Sequence, residues 1–382
     1  MKKYLTIQAI QKLKKVKKFI LIGNKKHYID DVVFEDTDYL VWIVLEFCSN
    51  LDQLEFKNCL LSINCMENIS KQQNIHTLDL ENCAIGEDKL EDLIINSSTG
   101  TIKHTNHDYI KGEISIPLLK NLRYLRIKAT RINLNLTVMG LLAEECTALE
   151  SFLIDSHDFI SNISKEAFGN FLDKRKDSLK FLKINGDYFR SAGEIRGPYD
   201  DSYDWPKSLS KCMNLQKLII LEFYFAKDEE NIAVAISKLK QLRHLELDDS
   251  IQHESMALMF ANQNLQNLVH IDLTKRHDYS SVLDKDLVCI ANGCPNLEYL
   301  FFRNCDDLAE ETIVFLSKNC KNLKKLIFPR SNSKKLKEET IAKFCQNLPE
   351  CELNMDYVYY SEDEDSASQS NDDDEEDDDE NM

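Results

Sequence analysis

One segment in the C-terminal third of the chain is written twice. Cys294-Pro-Asn-Leu297-Glu-Tyr-Leu300-Phe-Phe302 returns 26 residues later as Cys320-Lys-Asn-Leu323-Lys-Lys-Leu326-Ile-Phe328. Leu300 and Phe302 alternate as in a strand. In residues 309–319, between the two copies, Ile313, Phe315 and Leu316 suit a short helix. A unit of one strand and one helix is too small to bury its own apolar face, so such units must stack and share a core. That requirement overrides length, since 382 residues would otherwise suggest two or three ordinary domains.

Registered on its first apolar strand residue, the unit recurs at Val16, Leu51, Ile75, Leu122, Leu149, Leu179, Leu215, Leu242, Leu268, Leu297, Leu323 and Leu348. The gap from Ile75 to Leu122 is nearly two periods, and residues 99–105 are expected to hold a degraded unit. The total is then about 12–13, in the period range of a leucine-rich repeat. The expected fold is α/β, a leucine-rich-repeat solenoid or horseshoe with a parallel concave sheet. Residues 1–355 form the repeat domain, with 1–47 as cap region and first strand, and 356–382 form a disordered acidic tail. Alternation places Leu51, Leu54 and Phe56 inside and Gln53, Glu55 and Lys57 on the opposite face. The eighth position holds small side chains, among them Cys59, Cys83, Thr130, Ser250 and Cys305, suited to bonding backbone groups where a strand ends. Helices are expected over 137–146, 231–239 and 254–263, and a helix apolar nearly all round over 39–48.

The net charge of −18 divides unevenly along the chain. Residues 356–382 carry 14 acids and no Lys or Arg, while the first 26 residues carry nine Lys and no acid. Without the tail, residues 1–355 carry 47 bases against 51 acids and are nearly neutral as a whole. No window approaches the roughly 18 apolar residues of a membrane helix, and lysines interrupt any signal-peptide core at 12–15. The expected location is the cytosol or the nucleus, with no membrane or nucleic-acid partner. Twelve cysteines raise the question of disulfides or zinc. Cys48, Cys146, Cys212, Cys294, Cys320 and Cys345 all stand three residues before a first repeat leucine, and Cys351 takes a second leucine position. That regularity reads as small apolar packing in a reducing compartment. No Cys-x-x-Cys pair argues for metal.

The pattern C-x-x-L-x-x-L-x-hydrophobic-x-x-C stands in full at 48–59 and 294–305 and in part at 320–328. It resembles the cysteine-containing, ribonuclease-inhibitor-like repeats of F-box proteins, the substrate receptors of cullin-type ubiquitin ligases. The resemblance covers residues 40–353, loosely between 84 and 210. It implies substrate recognition in ubiquitin-dependent degradation, with the ubiquitination substrate held on the concave face. No counterpart of the family's helical F-box is expected before Val16, so the resemblance implies either a lost F-box or a separate recruiting subunit. A run of repeats closed by an acidic tail is also similar in layout to Ran GTPase-activating proteins and to acidic nuclear leucine-rich regulators. Their asparagine-marked eighth positions are here Cys, Ser or Thr.

No Gly-rich phosphate loop, His-Glu-x-x-His or Gly-x-Ser-x-Gly is present, so neither an enzyme nor a cofactor is expected. His104 and His107 with Asp108 read as a polar loop, not a metal site. The concave face is the candidate partner surface, through Tyr124, Arg126, Lys128, Leu153, Phe181, Lys183, Ile219, Leu221, His244, Glu246, Asp272, Tyr299, Phe301, Arg303 and Ile327. A solvated strand face should be mostly polar, and aromatic residues with arginine are typical interface anchors. The insert 186–206 adds Tyr188, Phe189, Arg190, Arg196, Tyr199, Tyr203 and Trp205, either at the rim of that face or packed onto the solenoid as a lid. Lysines in 12–18 read as the polar end of the cap or as an import signal. Ser361 and Ser370 precede acids and suit an acid-directed kinase, in a tail open to basic proteins.

Overall fold

The computed structural model describes residues 12–23, 34–81, 83–86, 93–96, 101–104, 120–128, 136–155, 165–185, 204–221, 229–247, 253–261, 264–274, 282–302, 308–328 and 336–355. The acidic tail, the phosphorylation candidates Ser361 and Ser370, His107, Asp108, Arg303 and most of the 186–206 insert lie outside them.

The strands are β1 (Lys18–Ile22), β2 (Gln53–Lys57), β3 (Leu60–Ser62), β4 (Thr77–Glu81), β5 (Ala84–Gly86), β6 (Leu93–Asn96), β7 (Thr101–His104) and β8 (Tyr124–Lys128). They continue as β9 (Ser151–Asp155), β10 (Phe181–Asn185), β11 (Lys217–Leu221), β12 (His244–Leu247), β13 (His270–Leu273), β14 (Tyr299–Phe302), β15 (Lys325–Ile327) and β16 (Glu352–Asn354). Twelve of them form one sheet in the order β1-β2-β4-β8-β9-β10-β11-β12-β13-β14-β15-β16, with every neighbouring pair parallel. Each strand thus pairs with the next repeat, as a leucine-rich-repeat solenoid requires.

Residues 99–105 are not a degraded repeat. β6 and β7 form an antiparallel hairpin of their own, with Ile95 opposite Ile102, and the main sheet steps directly from β4 to β8. Four residues, Ser97-Ser98-Thr99-Gly100, separate the two strands. So short a connection reverses the chain, whereas a parallel neighbour needs a crossover of a dozen residues or more.

Inward-facing leucines make the core. Leu54, Leu78, Leu125, Leu182, Leu218, Leu245, Leu300 and Leu326 hold one position of successive strands and are fully buried. Against them pack the helices, each also touching its neighbour; Leu136–Glu145 meets Lys165–Arg175, and Glu310–Asn319 meets Glu338–Asn347. Local chemistry fixes their ends. Ser62 caps Ile63–Ser70 by accepting the Cys65 N–H at 3.0 Å. Asp204 accepts from the Lys207 N–H, and Pro206 stands in the first turn of Trp205–Leu209. The helix Phe34–Phe47 is less buried than its composition suggests: Val41 and Val44 face the core, but Leu40 is 44% exposed.

Between repeats the backbone repeats one device. From Lys17 to Glu298, the residue after each unit's first apolar residue offers its carbonyl to two consecutive N–H groups of the next unit, as Glu298 does for Lys324 and Lys325; Lys324 accepts one, from Glu352. Asparagine supplies a second ladder. Asn50, Asn74, Asn121, Asn214, Asn267 and Asn296, each just before a first leucine or isoleucine, donate their side-chain amide to a carbonyl of the preceding unit at 2.7–3.1 Å. Gly23 is required at the first strand's end, because a Cβ there would stand 2.0 Å from the Asn58 carbonyl oxygen.

The last unit is shifted from the register its spacing implies. Leu348 closes its helix on the Phe344 carbonyl, the place that Cys294 and Cys320 take on Ile290 and Leu316. Pro349 follows, and Leu353 rather than Cys351 pairs with Leu326. Cys345 is therefore exposed and Cys351 half-buried, while Cys48, Cys146, Cys212, Cys294 and Cys320 are buried as their position implies. Burial pushes the Cys212 and Cys320 thiols up to about 12, so they stay protonated. Cys59 and Cys83 donate their thiols to the strand-end carbonyls of Lys57 and Glu81, at 3.2 and 3.3 Å. Cys305 lies outside the described residues. Among the described residues no group of three or more His, Cys, Asp or Glu side chains could hold a metal, and no helix is long and apolar enough to cross a membrane.

Candidate functional site

The strand face turned away from the helices carries two rows of side chains, set by the parallel register. The first row runs through Thr77, Tyr124, Ser151, Phe181, Lys217, His244, His270, Tyr299 and Lys325. The second runs through Glu55, Asp79, Arg126, Leu153, Lys183, Ile219, Glu246, Asp272, Phe301 and Ile327. Period two thus brings Tyr124, Arg126, Phe181, His244, Glu246, Asp272, Tyr299 and Phe301 onto one face, in adjacent strands.

Charge neutralises the N-terminal part of this face from within. Arg126 binds Asp79 at 3.1 Å, and Glu81 lies between Lys57 at 2.9 Å and Lys128 at 3.0 Å. Lys18 pairs with Glu55 one strand earlier. Burial pushes the Asp79 carboxyl up in spite of Arg126. Burial opposes ionisation of Glu81 too, but hydrogen bonds from Lys57 and Lys128 win and bring it down to about 2.

The middle of the face is apolar but nearly closed. Leu153, Ile219 and Leu221 are 6–7% exposed and Ile327 is 9% exposed. They have the right orientation for contact and little free surface, so as partner anchors they are corrected to packing residues. Trp205 is also corrected. It is fully buried against Phe168, with ring centroids 5.4 Å apart, and belongs to the core rather than to a rim. The insert residues Tyr188, Arg190, Arg196, Tyr199 and Tyr203 lie outside the described residues.

Exposed aromatic surface gathers on β12–β14. The His244 and His270 rings stack at 4.0 Å with 16° between planes. His270 also meets the Phe301 ring edge-on at 5.0 Å, and Tyr299 stands 6.4 Å from Phe301. All four are half-buried. Burial, then the neighbouring His244, brings His270 down to about 4, so its ring is neutral at physiological pH. Glu246 and Asp272 stand side by side in the second row. Asp272 Oδ1 accepts from the Thr274 N–H at 2.8 Å and from the Thr274 hydroxyl at 2.6 Å, which fixes its carboxylate. Sequence reasoning had missed His270, although it stands two residues after Leu268 as His244 does after Leu242. Lys217, two residues after Leu215, escaped for the same reason; its Nζ lies 4.9 Å from the Phe181 ring centroid.

No family model matches the chain. Among solved structures it is similar in fold to an internalin from Listeria monocytogenes, at 13% identity and a TM-score of 0.46, over 92% of this chain and 89% of that one. It is similar to a chain in the crystal structure of a Rad7 and Elc1 complex in yeast at 16% identity and a TM-score of 0.47, over 93% and 81% of the two chains. A leucine-rich-repeat protein from Leptospira interrogans gives 15% identity and a TM-score of 0.39, over 92% of each chain.

Proposed function

We propose that this chain is a non-enzymatic protein-binding module that holds its partner on the strand face of the solenoid, around β12–β14. The observation that carries this reading is the cluster of half-exposed rings, His244, His270, Tyr299 and Phe301, on a face where a solvated sheet is polar. Aromatic groups held rigidly in a sheet lose little entropy on contact, which suits them as anchors. Substrate recognition of the F-box-receptor kind, with a separate recruiting subunit, is the finer form of the proposal. It rests on the C-x-x-L-x-x-L repeats. Free, buried thiols fit a reducing location, the cytosol or nucleus.

The test is photo-crosslinking in cells from the source organism, with p-benzoylphenylalanine in place of Tyr299 or, on the helix side, of Val234. A discrete adduct from Tyr299 and none from Val234 is expected; adducts from Val234 alone would overturn the reading. For the finer form, the purified chain alone is expected not to bind the cullin-adaptor subunit that recognises F-boxes. A stable complex would show that residues 1–47 supply a degenerate F-box.

A further inference from the structure

Along the rim where the strands begin, the residue after each unit's first apolar residue forms a row of its own, joined from unit to unit by backbone bonds. Several charges in this row are met by a neighbour. His76 meets Asp52 at 2.6 Å, Lys180 meets Glu150 at 2.9 Å, and Lys324 meets Glu298 at 2.7 Å. Arg243 has no such neighbour. Gln216 and Val269 stand on either side of it in the row, and neither carries charge. Its side chain is exposed and makes no ion pair, hydrogen bond or ring contact among the described residues.

Beside Arg243 the rim is hollow. Gln241, Arg243, Asn267, Val269 and Asn296 line an open cavity of about 240 Å³, with no carboxylate among them. Its asparagines are pinned. Asn267 donates to the Lys240 carbonyl at 2.8 Å, and Asn296 donates to the Gln266 carbonyl at 2.9 Å. Each of these amides keeps a second N–H. The cavity adjoins the ring cluster, because His244 and His270 follow Arg243 and Val269 directly in the chain.

We propose that this cavity is a seat for a carboxylate side chain, aspartate or glutamate, of the protein partner, gripped by the Arg243 guanidinium with the Gln241 and Asn267 amides beside it. This rests on the reading of the strand face as the partner surface and adds a chemical requirement at its rim. A lysine or arginine would meet a like charge, with no acid in the cavity to offset it. An apolar side chain would strip water from the guanidinium and the amides and return no bond to them. A phosphate asks for more donors than the rim offers. The N–H groups of Arg243 and His244 both go to the Gln216 carbonyl, and those of Val269 and His270 go to the Arg243 carbonyl, so these four backbone groups form no open anion nest. A planar carboxylate matches a single guanidinium fork. The volume lies below the roughly 300–1,000 Å³ of pockets that enclose drug-sized ligands, which suits one side chain presented by a larger partner.

The experiment uses the full chain at physiological salt, where the repulsion of an acidic probe by the net charge of −18 is screened beyond about 8 Å. The probes are fluorescein-labelled octapeptides of glycine, serine and tyrosine around one central glutamate, with anisotropy as readout. Companion peptides carry glutamine or phosphoserine in place of glutamate. The glutamate peptide is expected to bind about fivefold more tightly than the glutamine peptide, and at least as tightly as the phosphoserine peptide. Arg243→Gln is expected to abolish the preference for glutamate. Arg243→Lys, which keeps the charge without the fork, is expected to reduce it to about twofold. Arg123→Gln, on the same rim next to Glu150, is expected to leave it unchanged. Equal binding of the glutamate and glutamine peptides to the wild type would overturn the proposal, as would a preference that survives Arg243→Gln. Tighter binding of the phosphoserine peptide would also overturn it, in favour of a general anion site. If Arg243→Gln does not fold, the Arg243 Nε–H resonance of the wild type decides: a shift with the glutamate peptide and not with the glutamine peptide is expected, and no shift overturns the seat. A discrete crosslink from Tyr299 without any glutamate preference would refute the carboxylate seat and leave the strand face as partner surface. Adducts from Val234 alone would remove that reading itself.

Discussion

Strands β2, β4 and β8 and strands β12–β14 share one sheet, one register and one kind of leucine core, yet their outer faces differ in chemistry. On the first, acid and base alternate across strands and satisfy each other, as Asp79 does with Arg126 and Glu81 with Lys57 and Lys128. On the second, rings stack across strands beside adjacent carboxylates. The inward positions are dictated by the fold, because each must fill the shared core. The outward positions are nearly free of that demand, so their chemistry reports what the surface meets. A closed network of internal ion pairs satisfies itself, whereas the half-buried rings are the ground of the proposed partner surface.

The largest effects should not distinguish the two regions. Leu125 and Leu300 are both fully buried in equivalent strand positions. Leu125→Ala and Leu300→Ala are each expected to cost about 2–5 kcal/mol by denaturant unfolding. A cost below about 1 kcal/mol at either one would break the comparison, since that half would not share the same packed core.

The next effect should separate them. Arg126→Ala leaves Asp79, 8% exposed, without the guanidinium that holds its charge. A loss of about 2 kcal/mol is expected, largely recovered by adding Asp79→Asn. Phe301→Ala removes a half-exposed ring and should cost under about 1 kcal/mol of stability, while it affects binding. If Phe301→Ala proved the more destabilising, the aromatic cluster would be a structural element and not an anchor.

The division between inward and outward positions also governs how much could be read beforehand. Period two located Tyr124, Arg126, His244, Glu246, Tyr299 and Phe301 on one face, because alternation is a local property of a strand. It could not distinguish Tyr299 from Leu153, Ile219 or Leu221, since exposure on a sheet depends on side chains one strand away. Trp205 was read as part of a loop, although Asp204 and Pro206 beside it are a helix start signal. The asparagine ladder was present as an Asn before most first leucines, but its meaning depends on a carbonyl about 25–50 residues earlier. Leu348 was misplaced because spacing counts residues, and Pro349 alters the path between helix and strand. Residues 99–105 were fitted to the repeat period, although the Ser97-Ser98-Thr99-Gly100 stretch that overlaps their start is a reversal signal.

Acid should act on the C-terminal face first. His270 is held near 4 by burial, by His244 and by Lys217, with Glu246 pulling the other way. Its folded pKa lies below the ordinary 6.5, so the unfolded chain binds the proton first and stability falls as the pH drops from about 6.5 toward 4. Because the ring is half-exposed, solvent screening limits the loss to the order of 1 kcal/mol. His270→Gln is expected to flatten the stability–pH curve in that window. An unchanged slope would mean that water reaches the stacked imidazoles freely.

The smallest expected effect lies on the other face and at lower pH. Glu81, bridged by Lys57 and Lys128, titrates near 2 instead of 4.5. Its contribution is therefore present above about 4.5 and is lost as the pH falls through 2, again because the unfolded chain takes the proton first. Lys128→Ala removes one arm of the bridge at 3.0 Å and leaves Lys57 at 2.9 Å. Pairs this open to water contribute little singly, so a cost of about 0.5 kcal/mol at neutral pH is expected. The informative measurement is where that cost disappears. Unfolding of wild type and Lys128→Ala should converge between about pH 4.5 and 2, while His270→Gln should already have converged or diverged from wild type above pH 4. If both variants changed the curve in one common window, the two faces would be electrostatically coupled through the intervening strands. Separate windows would show that the paired charges and the aromatic patch are independent surfaces on one continuous core.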